Sequence, residues 1–292
     1  MFEYAAGKLF ARRFNRVLEV VKPPTNKQQA HGFKRPFQLD AFRISATPRE
    51  TTLLDRVFFS GNPIVQRWHG IFGPMFDAQA IQELSAYWYR PEIDFDQDKK
   101  NAYLNGYWQA AAYVEAVERE LREEFQLRSE MQERNRAYAD RIAELECPIS
   151  VHVRIGDYAL IEHMAGEGRK KRVSNVLAPR YYERALVKVR ELFSNRTLVV
   201  FSDEPERARK LFEGLEHCMF VEGNDELHAH EDMWLMSRCR HHVIANSSFS
   251  WWGAWLGHNP EKRVFAPRYW GNTPDSHFPD LCSKEWTIVD NL

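Results

Sequence analysis

Three residues with chemically useful side chains stand close together in the stretch VHVRIGDY, Val151–Tyr158: His152, Arg154 and Asp157. The Arg154 guanidinium is always charged, and its planar fork matches the oxygens of a phosphate. His152 and Asp157 are residue types that take a proton from an attacking hydroxyl. Together they suggest a phosphorylated ligand. The plainer reading is an Arg–Asp pair bracing a turn, a contact that contributes only about 0–1 kcal/mol at a surface. Two further groups follow. Ser202-Asp203 closes an apolar run, and Asn246-Ser247-Ser248 stands just ahead of a helical pattern. A helix start presents unpaired N–H groups and partial positive charge, which suits an anion. The hydroxyls of Ser247, Ser248 and Ser250 would add donors. Simpler roles exist here too, since Asp203, Ser247 or Ser248 can each serve only as a helix cap.

Such residues act together only if a scaffold gathers them. Val151 and Val153 alternate with His152 and Arg154, the period of a strand, and Gly156-Asp157 marks a turn after it. Tyr181, Tyr182, Ala185, Leu186, Val189 and Phe193 then recur as a helix. A strand at Thr197–Phe201, a helix over 205–214 opened by Pro205, and a strand at Cys218–Val221 come next. They are followed by a helix at Glu231–Cys239, a strand at His242–Ala245, a helix at Ser248–Leu256 and a last strand at Arg263–Ala266. Strand and helix alternate, as in a doubly wound parallel α/β sheet. Such a sheet collects the C-terminal ends of its strands on one edge, where ligands bind. His152, Arg154, Asp157, Asp203 and Asn246–Ser248 are thereby predicted to converge. No Gly-rich dinucleotide or P-loop motif accompanies them, which disfavours nicotinamide-dependent enzymes and P-loop kinases.

A boundary is expected near Cys147, separating domain 1–147 from domain 148–292. The first domain reads less regularly. An amphipathic helix opens it, with Tyr4, Leu9, Phe10 and Phe14 roughly on one side, and a strand is expected at Leu18–Val21. The stretch from Gln28 to Asp98 reads as loops and short elements. Tyr103–Gln109 (YLNGYWQ) reads as a strand ending in a turn, then one long helical stretch carries Val114, Val117, Leu121 and Phe125. A second helix carries Tyr138, Ile142 and Leu145 on one side. Asp94-Phe95-Asp96 has the spacing of a metal-holding DxD. It lacks an apolar strand to position it, so a solvated loop is the better expectation. His228, His230, His241 and His242 lack the spacing of a zinc site. Trp251, Trp252 and Trp255 are expected in the core.

The 40 Lys and Arg residues balance 41 Asp and Glu, so no basic field points to nucleic acid, and any anion site is local. Cys147, Cys218, Cys239 and Cys282 form no CxxC pair, as expected of thiols kept reduced inside a cell. No apolar run approaches about 18 residues, so the chain is expected to be soluble or peripheral.

The motifs, in order, resemble a known family. His152-Val-Arg154-Ile-Gly156-Asp157-Tyr158 resembles the HxRxGDY signature of the family 11 α-1,2-fucosyltransferases. Gly106-Tyr107-Trp108-Gln109, Phe201-Ser202-Asp203, Glu231-Asp232-Met233 and Ala245–Ala254 (ANSSFSWWGA) are similar to its other motifs. The resemblance implies a GT-B-like α/β fold of two Rossmann-like domains, the first for the acceptor and the second for GDP-fucose. It implies transfer of L-fucose to the 2-hydroxyl of a galactoside, with inversion, no metal and no cofactor beyond the donor substrate. Arg154 would meet the β-phosphate, with Ser247, Ser248 and the helix start around the diphosphate. Asp203 would contact the nucleoside, and Asn246 and Phe249 belong to the same donor block. Asp157 and His152 are the candidate bases, the other options being that Asp157 orients Arg154 and that no base assists a dissociative transition state. The implied partners are GDP-fucose and a galactose-containing glycan, in one version lipid-linked, and no nucleic acid. The implied place is the cytoplasm, with peripheral contact at the inner membrane as a variant. The family's usual opening strand and Gly-rich turn, GGLGNQ, have no counterpart ahead of Met1-Phe2-Glu3-Tyr4-Ala5. A truncated GDP-binding protein without turnover is therefore the alternative expectation.

Overall fold

The computed structural model describes residues 1–22, 37–60, 62–83, 87–93, 95–159, 161–165 and 169–292. The chain forms two compact units. One is Met1–Arg128 with Pro279–Ser283, and the other is Ser129–Phe278 with Lys284–Leu292. The helix expected before the Cys147 boundary thus belongs with the second unit.

The first unit opens with α1 (Phe2–Arg13), then β1 (Val20–Val21) and β2 (Pro48–Arg49), a short parallel pair. Helices α2 (Leu53–Phe58), α3 (Pro63–Arg67) and α4 (His69–Met75) occupy a stretch that reads as irregular in sequence. Thr52 starts α2 with a capping box, its hydroxyl accepting the Asp55 N–H while Asp55 accepts the Thr52 N–H. The parallel pair β3 (Ala78–Gln82) and β4 (Asn101–Asn105) follows. The YLNGYWQ turn is held by Glu83, whose carboxylate accepts the Tyr107 N–H at 2.6 Å and the Trp108 N–H at 2.9 Å. Gly106 at φ +147° gives that carboxylate room that a Cβ would fill.

The long helix expected next is two helices, α5 (Ala111–Glu115) and α6 (Glu118–Glu124), broken at Val117, where φ −124° and ψ 27° leave the helical region. Val114, Val117, Leu121 and Phe125 are buried all the same. Ala6, Phe10, Ile81, Phe95, Trp108 and Tyr113 form a core of this unit. The Pro279–Ser283 strand of chain is tied in through Asp280, which accepts the Ala111 and Tyr89 N–H groups.

The second unit contains α7 (Glu133–Glu144), β5 (Cys147–Val153), the antiparallel hairpin β6 (Ile161–Ala165) and β7 (Arg169–Val173), and α8 (Pro179–Leu192). The chain continues through β8 (Arg196–Ser202), α9 (Pro205–Leu211), β9 (Cys218–Val221) and α10 (Ala229–Arg238). It ends with β10 (His241–Val243), α11 (Ser248–Leu256), β11 (Val264–Pro267) and β12 (Thr287–Val289).

Six strands form a parallel sheet in the order β12-β11-β10-β5-β8-β9. The predicted doubly wound sheet is present, with β12 as an additional edge strand. Tyr181, Ala185 and Val189 of α8 pack with Ile149, Val151 and Val153. Ile142 of α7 and Leu235 and Met236 of α10 pack with Val199 and Phe201. Burial on both faces explains why β5 is buried along its whole length and apolar except for Ser150 and His152. Trp251, Trp252 and Trp255 are core residues, as expected, and the Trp251 and Trp255 rings stack at 6.4 Å.

Candidate active site

Strand order brings the predicted residues of the second unit together. β5 lies between β10 and β8, with Val151 opposite Val243 and Val153 opposite Ser202. Arg154, Asp203 and the segment Ile244–Ser247 therefore leave neighbouring strands at the same edge.

Arg154 lies three-quarters buried, its Nη1 3.1 Å from Asp203 Oδ2. Its guanidinium carbon is 5.6 Å from the centre of the Tyr158 ring. The other Asp203 oxygen, Oδ1, accepts the Ile155 N–H at 3.0 Å. A Cβ on Gly156 would lie 2.4 Å from Asp203 Oδ2, so glycine is what lets the carboxylate approach. Asp203 is thus a brace for the Arg154 loop. It is not the cap of α9, whose N-cap residue is Glu204. An Arg–Asp pair is thus made across two strands, from Arg154 at the end of β5 to Asp203 at the end of β8. Asp157 sits in a short 3-10 turn, Gly156–Tyr158, and its side chain lies outside the described part of the structure.

His152 points into the protein. Its ring lies 5.4 Å from that of Phe249, and its Nδ1 has no partner among the described residues. Burial, with the Arg154 charge adding to it, holds the imidazole down to about 3. It is neutral near pH 7 and only weakly basic, so a role as general base does not fit.

Asn246 is fully buried, and its Nδ2 donates to the carbonyls of Asn175 at 3.0 Å and Trp270 at 2.8 Å. It ties together the loops beneath the start of α11. Ser247 is the N-cap residue of α11, with no side-chain capping bond and no acidic residue in the first turn. The first N–H groups of a helix have no partner within it, an arrangement that suits an anion. Ser248 and Phe249 form the half-buried first turn. Ser250 does not offer a donor as expected: its hydroxyl donates to the carbonyls of Ser247 and Ala245 and is buried.

Asp232, in the first turn of α10, was not singled out as a site residue by the sequence. It follows β9 and so belongs to the same edge. Burial pushes its carboxyl up to about 6, with the Glu231 charge adding to the shift and a hydrogen bond from Asn224 opposing it. The signals in the sequence were the adjacent acids Glu231-Asp232 at a helix start and their place in a motif of the family resemblance. Glu231 is spent on structure, its Oε2 accepting the Gln132 N–H at 3.1 Å and a hydrogen bond from Asn135 Nδ2.

His228 pairs with Asp225, its Nδ1 2.7 Å from Oδ1, while His241 and His242 are buried. His241 stacks on Phe193 at 3.9 Å, and His242 Nδ1 is 2.7 Å from Ser150 Oγ. Among the described residues no three His, Cys, Asp or Glu side chains come together as a metal site. Asp94 lies outside the described residues, while Asp96 accepts the Asp98 N–H at 3.1 Å in a local turn. The four cysteines are free thiols, and no described helix is long and apolar enough to cross a membrane.

The chain is similar to known glycosyltransferases. The O-antigen biosynthesis glycosyltransferase WbnK of Escherichia coli is 27% identical over 286 residues, 92% of this chain and 90% of that protein. An α-1,2-colitosyltransferase of Escherichia coli is 34% identical over 146 residues, 49% of this chain and 47% of that protein. That second match thus spans about half of the relative's length. Among solved structures, NodZ α-1,6-fucosyltransferase of Bradyrhizobium, soaked with GDP-fucose, superposes with a TM-score of 0.50 at 17% identity, covering 87% of each chain. Its likeness shows the fold, and the α/β class with a GT-B-like architecture holds. The model of glycosyl transferase family 11 matches residues 90–290, a span that contains the whole parallel sheet and every motif at its ligand edge, and the chain belongs to that family of glycosyltransferases.

Proposed function

We propose that the chain transfers L-fucose from GDP-fucose to the 2-hydroxyl of a galactoside, with inversion and without a metal. The observation that carries this reading is the juxtaposition of Arg154, braced by Asp203, with the uncapped start of α11 on adjoining strands. When the acceptor oxygen bonds to the sugar's anomeric carbon, the bond from that carbon to the phosphate oxygen breaks and GDP carries away the electron pair. Charge then develops on the diphosphate, where a fixed guanidinium and helix N–H dipoles stabilise it. Arg154 takes the β-phosphate in this scheme, and the Ser247 and Ser248 segment takes the remaining oxygens. Asn246 and His152 support these from below, through loop carbonyls and through Phe249. Asp157 is the better of the two candidate bases, because His152 has lost its basicity to burial. A galactose-containing acceptor, lipid-linked in the cell, and a cytoplasmic site of action complete the reading.

A second donor has specific support. The 34% identity to an α-1,2-colitosyltransferase favours colitose as the alternative transferred sugar. Transfer to a soluble galactoside, measured with GDP-fucose and with GDP-colitose in the presence of excess chelator, separates the two. Arg154→Ala should lower the rate by about 100-fold or more while GDP still binds weakly. Arg154→Lys should recover little, since a point charge does not reproduce the fork. Full activity of the Lys variant, or loss of parent activity in chelator, would contradict the scheme. Binding of GDP with no transfer from either donor would leave a nucleotide-binding protein without turnover.

A further inference from the structure

Helix α4 wears its apolar side outward. At about 100° per residue, Trp68, Ile71, Phe72, Met75 and Phe76 fall on one stripe, the side that a helix of a globular protein ordinarily buries. The side turned inward is that of Gly73, which is buried so closely that a Cβ there would lie 2.9 Å from the Ala78 carbonyl oxygen. The stripe itself faces solvent: Trp68 is 48% exposed, Ile71 60%, Met75 72% and Phe76 40%. Its rings form a ladder, Trp68 to Phe72 at 5.9 Å and Phe72 to Phe76 at 6.0 Å. The helix is anchored in this attitude by His69, which stacks on Phe58 of α2 at 5.3 Å and meets the Val57 carbonyl oxygen with its Nε2 at 2.9 Å.

Within the stretch that carries the stripe the charges are basic, with Asp77 following directly after it. From Arg56 to Phe76 the chain contains no Asp or Glu, and both Arg56 and Arg67 are exposed. Contiguous exposed apolar surface of this kind marks an interaction site.

We infer that this stripe docks the first unit onto a bilayer of anionic phospholipids, with α4 lying in the interfacial plane. Tryptophan and phenylalanine rings suit the headgroup level, aliphatic Ile71 and Met75 reach the acyl boundary, and Arg56 and Arg67 meet lipid phosphates. A second copy of the chain fits less well, because a two-fold contact through this patch would bring like arginines together. Lipid docking and the donor chemistry stand or fall separately.

The test is sedimentation of the full chain with phosphatidylglycerol-containing vesicles and with pure phosphatidylcholine vesicles, folding being followed by circular dichroism. The parent should partition onto the anionic vesicles and little onto the neutral ones. Ile71→Ser with Met75→Ser should lower that partition by at least about tenfold with the thermal midpoint unchanged. Arg56→Ala with Arg67→Ala should lower it by about thirtyfold. The inference is overturned if the parent stays in solution, if it binds both vesicles equally, or if both double variants bind as the parent does. A parent dimer that the serine variant dissolves would also overturn it, in favour of self-association.

Discussion

The Asp203 carboxylate holds two consecutive residues at once, the Arg154 guanidinium at 3.1 Å through Oδ2 and the Ile155 N–H at 3.0 Å through Oδ1. The end of β8 therefore sets both the direction of the Arg154 side chain and the path of the backbone that follows it. A fixed donor is worth more to a developing charge than a mobile one, because it needs no reorganisation as the bond breaks.

Gly156→Ala tests that brace. The new methyl would start 2.4 Å from Asp203 Oδ2, so the carboxylate or the loop must move. The expected outcome is a loss of roughly 1–3 kcal/mol in urea unfolding. The rate of transfer should fall by at least about tenfold, since small displacements of a positioned group are costly. An unchanged rate would show that Arg154 does not depend on Asp203.

Asn246→Ala removes the amide that satisfies two loop carbonyls, those of Asn175 and Trp270. Leaving a buried carbonyl unpaired costs about 1–3 kcal/mol. Because the side chain is fully buried, the kinetic signature should be a raised KM for the nucleotide sugar, through a displaced α11 start, with some activity recovered in Asn246→Gln. Calorimetric unfolding and initial rates across donor concentration check both parts.

Burial gives the stability a pH dependence of two opposing signs. His152 titrates near 3 when folded and near 6.5 when unfolded, so its contribution is fully present above about pH 6.5 and is lost as the pH falls toward 3. Asp232 is shifted the other way, from its ordinary 3.8 up to about 6. Its contribution is present below about pH 4 and is lost as the pH rises through 6. His152→Phe should therefore flatten the acid limb of the stability curve. Asp232→Asn should stabilise the protein at pH 7.5 by about 1–3 kcal/mol and leave it unchanged near pH 4. Urea midpoints at these pH values decide both.

Gly253→Ala should expose how tightly α10 and α11 pack. A Cβ on Gly253 would sit 2.9 Å from Met236 Cβ, a contact that real side chains do not make. Overpacking of this kind costs about 1–3 kcal/mol. Met236→Ala keeps that Cβ but removes the Sδ and Cε that would lie 3.1 and 3.2 Å away, so the double variant should recover part of the loss, giving a non-additive cycle in denaturant unfolding.

The sequence by itself determined the alternation of strands and helices from α8 to β11 and much of the core, but not the β6–β7 hairpin that follows β5. Those properties are local, because a period of two or of 3.6 is written in neighbouring residues. It also placed His152, Arg154, Asp203 and Asn246–Ser248 on one edge, since a parallel sheet leaves no other place for strand ends. β12 escaped notice because three residues carry no readable period, and its strand exists only by pairing with β11.

Only the tertiary structure decided what each edge residue touches. Asp203 could have capped α9, yet it reaches across to Arg154 because β5 and β8 lie side by side and Gly156 leaves room. His152 could have been a base, but it is enclosed by its surroundings and loses its proton affinity to desolvation. The apolar residues of α4 fall in a stretch that reads as loops and short elements, and only the folded chain sets them on one stripe, turned outward by packing through Gly73. Periodicity says which residues share a side; the long-range contacts that choose the partner, and with it burial and charge, are fixed only when the chain has folded.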